Sequence, residues 1–591
     1  MKSHPMLLPL ALLAVAPVTF GQYPCDPALN LAIGDSVDAQ AQPKVVATPG
    51  GGAYVSWFDS DAAGAPAFGY DVRLQRLDAA GHELWPHGGI LIADRGFSST
   101  QDYGLDVDGV GNALLAFRDD RSGGVQITAS LIDPSGNQLW GPNGVQVTNT
   151  TAFLAAPKIA GASDGGIFVA WTQDSSIGLQ RLSPAGAPTF AANLVLTPGV
   201  GSYSIADLHA GDAGTAIFSF VYGTGGFTAP KHLYSNKISA TGAPLWGAGH
   251  VKVFDGGSLQ FGNFPGFVSD GAGGAVFGWY SSSPSLEAYA QHVSAAGVEL
   301  FPHNGVSAST NASQIRVAPA VAYDASEQET FLLYEELNST QSQSGLSAQK
   351  FDATGLRAWG PTGLSLLAVG VTKAGTPAVV ALDDGAQLIW SESAGFNQDQ
   401  LFAQVVDDAG AVVHAATSLS SVPAQKYRVT AVKSGFGHAH IVWQDNRAGN
   451  DDVFAQDYLP NGTLGGAAAS QVRNGVGGNP LALASMSAPA IGGLWQTSVD
   501  KSAQPGNLGS ILFVYGQPSS GLMLAEGEVL VDLFSTQLLA QFANTSLVTD
   551  THSVSIPPMI ALVGLAVSSQ ALILDLAGSQ LTNAVDLALG L

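Results

Sequence analysis

The chain has 591 residues, 46% of them hydrophobic and only 12% charged, with 72 glycines and 31 prolines; it is too apolar for a disordered chain and too long for one small core. Its formal net charge is −24, from 22 basic and 46 acidic residues, which argues against nucleic acid and anionic membrane surfaces, because both are bound by Lys and Arg displacing counterions. Cys25 is the single cysteine, so an internal disulfide and the zinc and redox motifs built on Cys pairs are excluded.

Residues 1–21 read as an export signal. Lys2 supplies a weak basic start, "MLLPLALLAVAPVTFG" (6–21) an apolar stretch, and Thr19, Phe20 and Gly21 a cleavage site before Gln22. The mature chain is therefore expected to be secreted or held at the cell surface. "QYPC" does not supply the small and aliphatic residues a lipoprotein Cys requires. No later segment offers about 18 uninterrupted apolar residues, so no membrane span is expected.

After a short segment at 22–28, a repeat runs through 29–475. It is seen in "LQRLDAAG" (74–81), "ASLIDPSG" (129–136), "LQRLSPAG" (179–186), "SNKISATG" (235–242), "AQHVSAAG" (290–297), "AQKFDATG" (348–355), "AQVVDDAG" (403–410) and "AQDYLPNG" (455–462). The closing glycines step by about 54 residues, the signature of a repeat architecture. An aromatic follows four residues later in most copies: Trp85, Trp140, Phe190, Trp246, Phe301 and Trp359. Upstream lies a small–apolar alternation such as "GGAYVSW" (51–57) or "GHAHIVW" (437–443). Each copy thus predicts four short strands with Gly, Asn, Asp and Pro at the turns. Both strand faces are small or apolar, as in a propeller blade covered on both sides. Eight blades are expected, seven with one irregular copy being the alternative. Position 466, where the eighth copy needs its aromatic, is Gly. "LNLAIGD" (29–35) has the spacing of a fourth strand without its first three, and is expected to complete the last blade.

From 476 to 591 the repeat stops. Between 479 and 591 the only basic residue is Lys501. Alternating runs in "SILFVYG" (510–516), "GEVLVDL" (527–533) and "QALILDL" (570–576) predict a β-sandwich. "STQLLAQFA" (535–543) fits a short helix or a strand.

The candidate chemistry centres on "WQDNRAGNDDVFAQDYLPNG" (443–462). Asp445 and Asp451 are the candidate calcium ligands. However, Arg447 sits where a loop of the EF type places its second ligand, and the distal Glu is missing. An Asp that caps a turn and pairs with Arg447, as Asp119 would with Arg121, accounts for the pattern without a cation. His438 and His440 form an H-x-H pair that could begin a zinc or copper site but needs a third ligand. His440 aligns with apolar positions, so space filling between blades is the competing reading. His87 and His303 occupy matching turns. No G-x-S-x-G, H-E-x-x-H or P-loop motif occurs, nor any S-x-D-x-G-x-T-W box of the sialidase type. No catalytic residue is assigned.

The pattern of "WQDNRAGNDDVFAQDYLPNG" and "LDAAGHELWPHGG" resembles a repeat of large secreted bacterial β-propeller proteins. "GNPLALAS", "SILFVYG" and "LTNAVDLALGL" are similar to a terminal domain on secreted repeat proteins of planctomycete-type bacteria. "LDAAGHELW" and "IDPSGNQLW" also resemble the Trp-docking repeat of quinoprotein propellers. That family's vicinal Cys pair is absent, which puts a quinone cofactor in doubt. The expectation is an exported, non-catalytic binding or surface protein whose propeller presents loops to a glycan, a protein or the envelope. An extracellular polysaccharide hydrolase or lyase and a structural envelope component are the alternatives, because a fold does not fix a function.

Overall fold

The computed structural model describes residues 23–590 apart from 25, 61–68, 97–101, 436, 466–467, 558–561 and 563–564. The expected export signal, Cys25 and Gly466 lie outside the described residues. Every named element is a β-strand. No helix among the described residues is long and apolar enough to cross a membrane.

Antiparallel sheets follow one another along the chain at 40–93, 104–146, 154–196, 202–254, 258–307, 314–370, 373–424 and 426–458. All have four strands, except that the fifth has its first strand in two pieces and the last contributes three from its own segment. The fourth strand of that last sheet is Leu31–Gly34, which pairs with Asp452–Tyr458 through Leu31↔Ala455 and Ala32↔Phe454. The first strands of successive sheets touch in order, and 426–433 touches 40–47, so they form a closed inner ring. This is a β-propeller.

Burial explains the composition. All seven residues of Ala53–Asp59, Ala113–Asp119 and Ala439–Asp445 are buried, which a strand achieves only when both faces are covered. Each pair of neighbouring sheets shares its own apolar cluster. The repeated aromatic is the wedge between them. Trp140 Nε1 donates to the carbonyl of Pro184 at 3.0 Å, Trp246 to Ala295 at 3.0 Å and Trp359 to Asp408 at 2.9 Å. Each acceptor belongs to the turn of the next sheet. The turn glycine takes the ring edge: Gly297 has φ +78°, and a Cβ there would fall 2.6 Å from Trp246.

The seam between the eighth and first sheets uses a substitute. Tyr23, from the N-terminal segment, is buried there and donates its backbone N–H to Ala80 O at 2.9 Å. A Cβ on Gly81 would meet its ring at 2.6 Å. Tyr23 therefore does for the eighth sheet what Trp140 does for the second.

The second region has a five-stranded sheet and a three-stranded sheet. They enclose one shared core, with Trp495 and Val499 from the smaller sheet against Leu512, Ile573 and Val585 from the larger. A two-stranded hairpin, Pro518–Leu524 with Gly527–Val531, adds a small cluster around Tyr515. Ala469–Arg473 pairs with Gln580–Ala588. The sheet of this region thus draws a strand from the ring side of residue 475, and Arg473 binds Asp586 at 2.6 Å. "STQLLAQFA" contains an edge strand, Gln537–Ala543.

Candidate functional site

The acidic loop at 443–462 is tied up internally. Asp445 is fully buried. Its Oδ1 accepts the Arg447 N–H at 2.9 Å, and its Oδ2 accepts Lys426 Nζ at 2.7 Å, Trp443 Nε1 at 3.0 Å and Arg447 Nη2 at 2.5 Å. Burial pushes its pKa up, but the Arg447 hydrogen bond and the Lys426 charge outweigh that and hold it below the ordinary value. Arg447 continues to Asn30 Oδ1 at 3.0 Å and lies 4.0 Å over Phe454, stapling the N-terminal segment to the last sheet. Asp119 and Arg121 repeat the pairing at 2.8 Å. Asp451 accepts the Tyr427 hydroxyl and, at 2.8 Å, Gln444 Nε2. The two candidate calcium ligands are thus engaged by different partners.

His438 and His440 meet on one carboxylate. His438 Nδ1 lies 2.9 Å from Asp457 Oδ2, and His440 Nδ1 lies 3.3 Å from Oδ1. His440 Nε2 reaches Gly51 O at 2.8 Å, and its ring stacks on Tyr23 at 5.6 Å. Burial lowers the His440 pKa, but the Asp457 charge outweighs it and the net direction is up. Among the described residues no group of three or more His, Cys, Asp or Glu is placed to hold a metal ion.

His87 and His303 are each held between two carboxylates. His87 bridges Glu83 at 2.9 Å and Asp35 at 2.8 Å; His303 bridges Glu299 at 2.9 Å and Asp255 at 3.0 Å. In both, the second carboxylate follows the outer strand of the preceding sheet, so each His clamps two sheets together. A different group lines the inner ring. Asp102 lies between Lys44, at 2.8 Å, and Lys158, which come from the first and third sheets. Asp207 and His209 of the fourth sheet pair at 3.1 Å. All five are partly rather than fully enclosed.

One place breaks the repeat and was not singled out from the sequence. In most sheets the first strand carries a short bulge, with a non-glycine residue at positive φ in Gln42, Ala156, Ala318, Thr376 and Arg428. In the fifth sheet the chain leaves the ladder for "QFGNFPG" (260–266), between Ser258–Leu259 and Phe267–Ser269. Leu259 pairs with Ser281 and Phe267 with Phe277, so Gly278, Trp279 and Tyr280 face a loop where other sheets have a strand. A cleft of about 370 Å³ opens against the sixth sheet, lined by Asn263, Phe264, Phe267, Tyr280, Pro319 and Val321 among others. The buried core at this interface has seven residues, against fourteen between the third and fourth sheets.

The loop carries the cleft's chemistry. Phe261 and Phe264 are 63% and 52% exposed, and Phe227, from the neighbouring sheet's hairpin, is 75% exposed. The Phe227 and Phe261 rings lie 4.8 Å apart. Lys231 Nζ sits 5.8 and 5.5 Å from them and donates to Phe227 O at 2.9 Å, which fixes the pair as a platform. Asn263 Nδ2 is buried without a hydrogen-bond partner among the described residues. Away from the cleft, on the face of the sixth sheet that meets the seventh, Glu335 occupies the position that Tyr280 has in the fifth sheet, with Oε1 3.4 Å from where a Cβ on Gly375 would lie. Burial pushes its pKa up to about 7, against the pull of the Thr376 N–H. The only sequence signal for this site was the interruption of an apolar strand by "GNFPG".

No family model and no curated protein matches the chain. Among solved structures it is similar to the Dos1 propeller, at 12% identity and a TM-score of 0.40 over 73% of this chain and 95% of that one. It is similar to the polysaccharide lyase Uly1 at 11% identity and 0.35, over 76% and 94%. It is also similar to an endo-arabinase from Bacteroides thetaiotaomicron VPI-5482 at 12% and 0.24, over 52% and 93%. Likeness of this size carries no argument about chemistry; the fold rests on the strand pairing and ring contacts above.

Proposed function

We propose that the chain is an exported, non-catalytic binding protein. In this reading an eight-bladed propeller presents a saccharide-binding face, and a C-terminal β-sandwich serves as a second module. The observation that carries it is the 260–266 loop, which exposes Phe261 against Phe227 of the fourth sheet and places Phe264 in the cleft against the sixth sheet. Exposed aromatic rings held rigid lose little entropy on binding and offer flat apolar faces to the C–H faces of sugar rings. The cleft adds concave depth with a few polar groups, the usual form of a ligand site. The polar constellations elsewhere, around Asp445, Asp457 and Asp102, are engaged in internal bonds. The test is a pull-down of the full chain on insoluble polysaccharides and bacterial envelopes, with wild type compared with Phe261→Ala. Retention by wild type and at least about tenfold weaker retention by the variant supports the reading; equal retention contradicts it.

A second reading, a polysaccharide hydrolase or lyase, draws on Glu335, whose raised pKa suits a general acid. Turnover of a retained polysaccharide, lost in Glu335→Gln, would replace the first reading with this one.

A further inference from the structure

A reactive group of side chains is sealed inside the C-terminal region. Residues 474–591 contain a single Lys or Arg, Lys501, and the fold puts it in the core. Lys501 follows the strand Leu494–Asp500, which pairs with Thr549–Ser555 through Val499↔Asp550. Its N–H continues the ladder onto Val548 O at 2.7 Å. Residues two apart in extended chain share a face, so Lys501 lies on the inward face with Val499 and Asp550. Ser510, from the larger sheet, meets them there. Lys501, Asp550, Ser510 and His552 are all buried, none more than 1% exposed. No outside substrate reaches them, so these groups can react only with one another. We infer that Lys501 and Asp550 condense to an intramolecular isopeptide bond, which ties the end of Leu494–Asp500 to Thr549–Ser555.

The contacts already match the product. Lys501 Nζ lies 2.8 Å from Asp550 Oδ1 and donates to Ser546 O at 2.8 Å. The Thr545 N–H also donates to Oδ1, at 2.8 Å. Oδ2 accepts the Ser510 hydroxyl at 2.8 Å, and Ser510 Oγ is 3.0 Å from His552 Nε2. Ser510 has one proton and gives it to the carboxylate, so His552 Nε2 carries a proton and donates it to Ser510. Oδ1 is therefore placed to stay as the amide carbonyl, with Thr545 as its donor. Nζ keeps Ser546 O as acceptor for the amide N–H. Both polar groups of the product are satisfied in advance, and Oδ2 is the oxygen that leaves.

The step balances without another reactant. The pair rests as ions: burial raises the Asp550 pKa, but hydrogen bonds from Lys501 and Ser510 outweigh it and hold it below the ordinary value. One proton passes from Nζ to the carboxylate, a transfer that the low dielectric assists because it removes two buried charges. The Nζ lone pair then attacks Cγ and the Cγ–Oδ2 bond breaks. Oδ2 leaves as water with two of the three Nζ protons, and the third stays on the amide nitrogen.

A second sealed pair shows what sets this one apart. Lys426 and Asp445 of the ring are also fully buried, 2.7 Å apart. There Arg447 Nη2 and Trp443 Nε1 donate to the same oxygen as Lys426. A guanidinium is permanently charged, so it keeps Asp445 a carboxylate, and an amide at Asp445 would strand Arg447 without its anion. The other donors to Asp550 are a hydroxyl and a backbone N–H, both neutral. Condensation there leaves no charge behind.

Peptide mapping of the full chain tests the proposal. The purified protein is denatured, digested with trypsin and weighed by mass spectrometry. After Arg473 the sole tryptic site is Lys501, and an isopeptide bond on its Nζ blocks cleavage. The expected result is one fragment, 474–591, lighter than its sequence mass by about 18 Da, one water. Lys501→Arg cannot form the bond and should split into 474–501 and 502–591 at full mass; this control is read on the denatured chain, so it holds whether or not the variant folds. Cleavage of wild type at Lys501 with both fragments at full mass overturns the proposal, as does an uncut 474–591 of full mass. The same digest should cut at Lys426 with no loss of water, and a bond between Lys426 and Asp445 would overturn the chemical reason for the choice of pair.

Discussion

The ring and the C-terminal region solve the same packing problem in opposite ways. In the ring, one device recurs at nearly every interface: an aromatic wedge seated against a turn glycine, which at Trp140, Trp246 and Trp359 is also bonded to the next turn. Polar links supplement it, at the margins as at His87 and His303 and in the interior of the last sheet as at Asp445 with Lys426. The C-terminal region has no repeated device. It relies on a single mixed core around Trp495 and on one buried ion pair, Lys501 with Asp550 at 2.8 Å, both fully buried. The lesson is one of redundancy. The ring spreads its stability over many equivalent contacts, while the second region concentrates it in contacts that occur once.

The largest effect is therefore expected at Lys501. Lys501→Met leaves the Asp550 carboxylate buried without its cation, and breaking a buried pair in this way costs about 3–5 kcal/mol. Chemical denaturation should show the C-terminal region unfolding early with the ring transition unmoved; a single shifted transition would show that the two regions are coupled. Tyr23→Ala comes next. It removes the wedge at the seam, and deleting a buried aromatic costs about 3–5 kcal/mol at its site, here shared over a ring with other intact interfaces. Limited proteolysis should cut first near the N-terminal segment; unchanged resistance would mean Tyr23 is dispensable. Trp140→Phe keeps the wedge but loses the bond to Pro184, for about 1 kcal/mol. A melting-temperature shift comparable to that of Tyr23→Ala would contradict the distinction.

The smallest effect concerns pH. His303 has a raised pKa because Glu299 hydrogen-bonds it, against desolvation. For His87 desolvation is the largest influence, but Asp35 and Glu83 together still raise it. A raised folded pKa gives stability that is complete below the unfolded value of about 6.5 and is lost as pH rises through the folded value. The melting temperature should fall across that window, and His87→Gln with His303→Gln should flatten the fall. An unchanged slope in the double variant would remove these clamps from the account.

Periodicity made the all-β class and the four-strand unit legible, because a feature written eight times declares its own register. The spacing of "LAIGD" ahead of Trp57 pointed to Leu31–Gly34, which the structure pairs with Asp452–Tyr458. Tyr23 was not legible, because it acts outside any repeat and meets Gly81 only when the ring closes. The strand Ala469–Arg473 was hidden for a similar reason, since its partner is more than a hundred residues away. The Asp445–Arg447 pair could be read from its recurrence at Asp119 and Arg121. Its third partner, Lys426, could not, because the two meet only across paired strands. The phenylalanine loop was overlooked because a search for repeats rewards agreement, and at this site the inner strand is split in two by a seven-residue loop.

The central claim is that this break in the repeat is where the molecule meets its ligand. Hydrogen exchange of the full chain, with and without a retained saccharide, tests it most directly. The account predicts new protection at 258–268 and 278–280, with the C-terminal region unchanged. Protection confined to the C-terminal region, or to the acidic loop at 443–462, would contradict it.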